Sequence, residues 1–341
     1  MDQKIYYNAL TLATKSSYSQ LEKIRDKYGN WSEAWKELCH KYKDIDPEQE
    51  FEKLQKNNIT LILGEDKDFP PLLTEIPLAP FGIYIKGSLP VGTGIAVVGT
   101  RGATTLGKKI AENFSEELAR SGVDIISGLA IGIDAVAHQG ALNVSGKTVA
   151  VLARGLDGVY PSIHSNLAEK IIEGEGALIS EYPIGSPTLP YRFMERNRIV
   201  SGLSKGTLVI EAPSRSGAMA TARFALEQNR EIWVVPGPLN EKNYEGSHKL
   251  IQQGAMLVTK AQDILENLGI EAKQEVVSSA DFSPEEKTMF DILRKAGEPL
   301  SVDKICLESN LDSRVVSKTI TYLIMKKVVT ETPHGFIITK L

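Results

Sequence analysis

From residue 95 onward, short apolar runs alternate with longer stretches whose apolar positions recur every three or four residues. The runs at 95–98, 123–126, 148–152, 177–180, 207–210, 231–235 and 256–258 predict strands. Between them, patterns such as 106–121 and 218–229 predict helices with one buried face. Continuous apolar strands separated by amphipathic helices predict βαβ units, hence an α/β fold with a parallel sheet covered on both faces. Ligands of such sheets sit beyond the carboxyl ends of the strands.

The flanks follow other patterns. Residues 1–57 predict short helices, broken near Tyr28-Gly29-Asn30 and at Pro47, without strand alternation. A strand is predicted at 59–63, and a proline-rich passage leads to another at 82–86. Beyond Leu268 the alternation stops, and residues 271–283 read as a linker. The tail predicts a helix at 284–295, a second opening at Ser301 and a third capped at Ser313 and running to about Lys327. A hairpin over 328–339 follows, turning at Pro333-His334-Gly335. Three helices and a hairpin in that order predict a winged helix-turn-helix. The expected organisation is a helical domain at 1–57, an α/β domain at 58–270, the linker, and the winged helix at 284–341.

Composition narrows the partners. The 341 residues are 42% hydrophobic and 24% charged with a formal net charge of −4, ordinary for a globular protein and not basic overall. A nucleic-acid site must therefore be a local patch. Cys39 and Cys306 share no metal-ligand spacing and suggest a reducing compartment. No apolar run reaches the roughly 20 residues that span a bilayer, so no membrane role and a cytoplasmic location are expected.

The unusual residues all follow strands. Ser127-Gly-Leu-Ala-Ile-Gly-Ile-Asp134 carries a strand through two glycines into a helix, a device that turns backbone N–H groups toward an anion. Gly99-Thr-Arg-Gly-Ala-Thr-Thr-Leu-Gly-Lys-Lys109 contains most of a P-loop, but Lys109 stands where Ser or Thr would coordinate Mg²⁺. Its nearest Walker-B substitute is Glu211. Neither loop has the glycine spacing and ribose-binding acid of a dinucleotide site. A third segment, Arg192-Phe-Met-Glu-Arg-Asn-Arg198 with Lys205, sets four basic residues against Glu195, a local charge of +3. Phe193 within it offers a face on which a base can stack. In a fourth, Ser216 and Gly217 open a helix, and the serine suits either a cap or a phosphate. The histidines are scattered, no nucleophile elbow is present, and neither a catalytic group, a metal nor a cofactor is expected.

Taken together these motifs resemble the DNA-processing protein A family (DprA, also called Smf). The matching residues are Val97-Val-Gly-Thr-Arg101, Ser127-Gly-Leu-Ala-x-Gly-Ile-Asp134 with His138, Gly155-Leu-Asp157 with Tyr160-Pro161, and Ser180-Glu181. They continue through Phe193 with Arg196-Asn-Arg-Ile199, Ser216-Gly217, Pro236-Gly237, and Leu250-Ile251 with Gly254-Ala255. The resemblance covers about residues 60–260. It implies an extended Rossmann-like sheet that binds single-stranded DNA, works as a homodimer and loads the RecA recombinase onto the strand in natural transformation. Carried onto this sequence, the DNA-binding residues are Gly99, Thr100, Arg101, Ser127, Gly128, Phe193, Arg196, Asn197, Arg198, Ser216 and Gly217. Lys205 joins them on local charge alone.

Departures from the family pattern are local: Leu106 replaces a tyrosine, Ala153 a glycine and Met194 a proline. Two other readings stand beside the leading one. A nucleotide phosphoribohydrolase would need P-G-G-x-G-T, but Pro236-Gly237 continues as Pro238-Leu239. A duplex-DNA regulator would present Arg314, Ser317, Lys318 and Thr321 from the third tail helix. From Ser283 to Leu341 there are nine Lys/Arg against eight Asp/Glu, which favours a protein contact there over duplex reading.

Overall fold

Each predicted apolar run becomes a strand, and the strands join in one sheet. The protein is described by a computed structural model over residues 3–90, 92–270, 282–326 and 328–338. Most of the expected linker, residues 271–281, lies outside the described residues, as do Lys327 and Thr339. Helices α1 (Gln3–Ala13), α2 (Tyr18–Tyr28), α3 (Trp31–Leu38) and α4 (Pro47–Lys56) precede β1 (Ile59–Leu63), the short α5 (Pro71–Thr74) and β2 (Gly82–Gly87). The alternating part opens with β3 (Thr93–Val98), α6 (Thr105–Arg120), β4 (Val123–Ser127), α7 (Ile133–Asn143), β5 (Thr148–Leu152), α8 (Ser165–Glu173) and β6 (Ala177–Ser180). It continues with α9 (Pro190–Gly202), β7 (Gly206–Val209), α10 (Gly217–Glu227), β8 (Glu231–Val234), α11 (Glu245–Gln252), β9 (Met256–Leu257) and α12 (Ala261–Asn267).

Strand order is β1-β2-β6-β5-β4-β3-β7-β8-β9. From β6 to β9 all neighbours are parallel, whereas β2 pairs antiparallel with both β6 and β1. Residue alternation sorts the strand side chains onto two faces. Ala96, Val98, Val149, Val151 and Val209 meet α9 and α10 through Ile199, Val200, Ala218 and Ala222. Ile95, Val97, Ile125 and Leu208 meet α6, α7 and α12 through Phe114, Leu118, Ala137 and Ile264.

The N-terminal helices are not a separate domain at 1–57. They belong to one unit, Met1–Ala272, and share a core with the sheet. Tyr7, Leu10, Trp31 and Leu54 pack with Tyr84 of β2, Leu152 of β5 and Leu178 of β6. The Tyr84 hydroxyl donates to Asn8 Oδ1 at 2.9 Å. A layer of short helices covers an extended sheet flank that would otherwise leave apolar strand faces in water.

The second unit, Lys273–Leu341, carries α13 (Pro284–Ala296), α14 (Val302–Ser309), α15 (Ser313–Met325) and the antiparallel pair β10 (Val329–Thr332) and β11 (Gly335–Ile338). This is the element order expected of a winged helix. Met289, Leu293, Ile305, Val316, Ile320 and Leu323 form its core, and Leu300 bridges to Phe336 of the hairpin. The cap of α15 is Asp312 and not Ser313: its Oδ1 accepts from Arg314 N at 2.9 Å. Both residue types favour that position, and the carboxylate one residue earlier takes it.

Candidate nucleic-acid interface

Between β3 and β7 the chain departs to opposite faces of the sheet, into α6 on one side and α10 on the other. Their carboxyl ends therefore leave a crevice, the position at which open α/β sheets take ligands. A cleft of about 610 Å³ occupies it. The β3 loop supplies Gly99, Thr100 and Arg101, the β4 loop Gly128 and Ala130, and the start of α7 Asp134. Helix α9 contributes Phe193, Met194, Arg196 and Asn197, the β7 loop Arg215 and Ser216, and the start of α10 Gly217, with Tyr160 lining it as well.

The two glycine loops are locked to each other. Gly132 has a φ of +91°, and a Cβ there would collide with the Thr100 carbonyl oxygen, so only glycine fits. The Ser127–Gly132 turn does not present its amides freely to a ligand. Asp134, at the start of α7, accepts from Gly128 N at 3.1 Å and Ala130 N at 3.4 Å. Burial raises the pKa of Asp134, opposed by the nearby Arg196 charge and these two backbone donors. One further turn along α7, His138 is buried and neutral, its pKa lowered to about 3 chiefly by burial, with Arg196 and His164 adding to the effect. Thr148 Oγ1 donates to the Ile125 carbonyl at 2.6 Å, so the 2.6 Å contact from His138 Nδ1 is a donation by the ring.

Nine of the twelve residues expected at the site line this cleft: Gly99, Thr100, Arg101, Gly128, Phe193, Arg196, Asn197, Ser216 and Gly217. Three do not. Ser127 is buried and its hydroxyl donates to Val97 O at 2.7 Å. Arg198 points away from the cleft, donating to Glu181 at 2.6 Å with its guanidinium 6.0 Å from the Tyr18 ring. Lys205 precedes β7, at the opposite end of the strands, where its amide joins Gly94 O at 2.8 Å.

Lining the cleft is also not the same as facing it with charge. Arg196 is buried, and its Nη1 donates to Gly128 O at 2.5 Å and to Val151 O. Arg192 donates to the Pro187 carbonyl at 2.8 Å and lies over the Tyr182 ring at 4.3 Å. Of the four basic residues behind the +3 of the 192–205 segment, Arg192, Arg196 and Arg198 are thus taken up by internal carbonyls, a ring and Glu181, and Lys205 is exposed at the far end of the strands. Ser216 Oγ accepts from Met219 N at 3.3 Å and acts as the cap of α10. Asn197 Nδ2 donates to Gly217 O at 3.3 Å and ties α9 to that cap.

What the cleft leaves accessible is a smaller set. Arg101 and Arg215 are exposed, and among the described residues neither is held in an ion pair. The Arg101 guanidinium sits 5.1 Å from the centroid of Phe193, and the Tyr160 ring packs against the same phenyl at 5.7 Å. Tyr160 keeps 49% of its surface in water, and Met194 48%. Sequence reasoning did not single out Arg215 or Tyr160 as contacts. The exposed arginine between the two serines of Ser214-Arg-Ser216, and the aromatic of Tyr160-Pro161, were the available signals.

An arginine stacked on an aromatic pair at a strand-end crevice suits a phosphate beside a base. Comparison with known proteins decides the family. The model for DNA recombination-mediator protein A matches residues 60–269. The chain belongs to that family. Protein Smf of Escherichia coli is 44% identical over 238 residues, covering 69% of this chain and 64% of that protein. DNA processing protein DprA of Streptococcus pneumoniae is 39% identical over 230 residues, covering 67% of this chain and 80% of that one. The match to the Smf proteins of E. coli and Synechocystis spans less than two thirds of their lengths, 64% and 58%. The crystal structure of the S. pneumoniae protein superposes with a TM-score of 0.62 at 32% identity, covering 78% of this chain and 93% of that one. A structure solved for the single-stranded DNA binding mode of DNA processing protein A from Helicobacter pylori superposes with a TM-score of 0.56 at 28% identity. It covers 62% of this chain and 95% of that one.

Proposed function

We propose that this family member binds single-stranded DNA in the β3–β7 cleft, without catalysing a reaction, and acts as a recombination mediator that loads a RecA-type recombinase onto the strand. The observation that carries the reading is the pair of exposed arginines lining the cleft, Arg101 over the Phe193 ring and Arg215 on the β7 loop, neither in an ion pair among the described residues. Phosphates meet the guanidinium groups and a base stacks on the rings, which favours single strands and little sequence preference. The H. pylori relative's single-strand binding supports the same ligand. Assembly as a homodimer and a place in natural transformation follow from the family reading.

The C-terminal unit fits a protein contact better than duplex reading. Its helix α15 exposes Arg314, Ser317, Lys318 and Thr321, but also Val315 at 38%, Tyr322 at 47% and Met325 at 73%. Those apolar surfaces suit a partner protein better than phosphate.

Fluorescence anisotropy on oligo-dT at two salt concentrations tests the cleft. Arg101→Ala and Arg215→Ala should each weaken binding about five- to tenfold, and each should lower the slope of log K against log salt by about 0.7. Unchanged affinity in both variants moves the site elsewhere. Loading is tested by formation of recombinase filaments on a strand precoated with single-strand-binding protein, which should quicken with the wild type and not with Arg101→Ala.

A further inference from the structure

The P-loop-like turn at Gly102–Lys108 already holds an anion, supplied by the chain itself. Glu211 follows β7 and is fully buried, at 0% exposure. Its carboxylate accepts from Thr104 N at 3.0 Å, Thr104 Oγ1 at 2.5 Å, Asn243 Nδ2 at 3.0 Å and Tyr244 Oη at 3.3 Å. Thr104 is the cap of α6, so the carboxylate lies at the first turn of that helix, where the partial positive charge favours an anion. A Cβ at Gly107 would overlap the same carboxylate, and the glycine keeps the seat open for it. Burial and the neighbouring Glu211 charge push the Tyr244 phenol up to about 12, so it stays protonated and donates.

The contacts reach both sides of Arg101. The Glu211 main-chain carbonyl accepts from Thr100 N at 2.7 Å, one residue before the arginine. Asn243 Nδ2, while bound to Glu211, also donates to the Gly102 carbonyl at 3.0 Å, one residue after it. The exposed guanidinium therefore projects from a loop pinned on each side by a single buried residue and its partner.

We propose that Glu211 is a positioning residue that stands in for the phosphate of a nucleotide loop and, with Asn243, fixes the Arg101 loop for the DNA strand. The inference rests on the cleft reading above. A loop fixed before the strand arrives does not have to be ordered by it, and affinity gains accordingly. A strand-binding protein that began from a nucleotide-binding turn would, by this device, keep its shape without a nucleotide.

A double-mutant cycle on oligo-dT affinity tests it. Glu211→Gln keeps the size of the side chain and removes its charge. It should weaken binding about fivefold alone and in an Arg215→Ala background, but less than 1.5-fold in an Arg101→Ala background. Asn243→Ala, at a half-buried position and checked by thermal unfolding for a folded state, should show the same pattern at about twofold. A general structural role would instead give equal losses in all backgrounds, and that result overturns the proposal. So does wild-type affinity in both Glu211→Gln and Asn243→Ala when Arg101→Ala binds weakly. If Arg101→Ala itself binds normally, the cleft reading fails and takes this proposal with it.

Discussion

Helix α9 carries Arg192, Arg196 and Arg198 and buries all three, whereas the loops after β3 and β7 bring one arginine each to the cleft and leave both in water. The side chain is the same; the surroundings differ. On α9 the forks meet main-chain carbonyls, an aromatic ring and Glu181. On the loops they meet solvent and, for Arg101, a phenyl face. A buried guanidinium held by such groups is a framework part, and its charge is screened from a ligand by the groups it binds. An exposed one keeps its donors for phosphate at little desolvation cost. Counting basic residues along a segment therefore overstates the field of the cleft, and counting those without internal partners does not.

The sharpest test of that contrast is to remove an inward arginine. Arg196→Ala leaves Asp134 buried without its nearest positive neighbour, and the Gly128 and Val151 carbonyls without a donor. Stability measured by urea unfolding should fall by about 3–5 kcal/mol. Arg198→Ala, which strands Glu181, should cost a similar amount, while Arg101→Ala and Arg215→Ala should leave the unfolding midpoint unchanged. A stable Arg196→Ala that has lost only DNA affinity would erase the distinction.

A gentler probe uses the imidazole that feels the Arg196 charge. His138 is held neutral in the fold, its pKa depressed to about 3 against about 6.5 when unfolded. A depressed basic group contributes stability that is fully present above pH 6.5 and drains away as pH falls toward 3, because the unfolded chain takes up the proton first. Between pH 7 and pH 5 the wild type should lose about 2 kcal/mol more than His138→Gln. Parallel stability curves for the two proteins would show that the imidazole is not enclosed. The smallest effect is expected at Lys205, at the far end of the sheet: Lys205→Ala should change oligo-dT affinity less than twofold. A tenfold loss would place the strand on a face remote from the cleft.

The sheet was largely legible because its strands are continuous apolar runs bounded by glycine and polar turns. The run predicted at 207–210 forms a strand at Gly206–Val209, a shift of one residue. The cleft's location followed from the strand-end rule, and nine expected residues line it. What periodicity could not reveal was which polar side chains turn inward. Helix α9 is rich in charge, yet Arg192, Arg196, Asn197 and Arg198 are buried, because their partners lie outside the helix: Pro187 and Glu181 before it, Gly217 after it, and Gly128 and Val151 farther off. The N-terminal helices were misjudged for the same reason. Their apolar faces look like a small independent core until Tyr84 and Leu178 are brought beneath them.

That shared core sets an order of assembly. Strand β2 has two neighbours, β1 just before it and β6, which begins at Ala177, about ninety residues later. The first hundred residues can make their helices and the β1–β2 pair, but not the surface on which they settle. During synthesis the exposed edge of β2 must wait while three βα units form ahead of its partner. The long sequence separation makes this flank slow to complete, and its open edge has to avoid stray strand pairing while it waits.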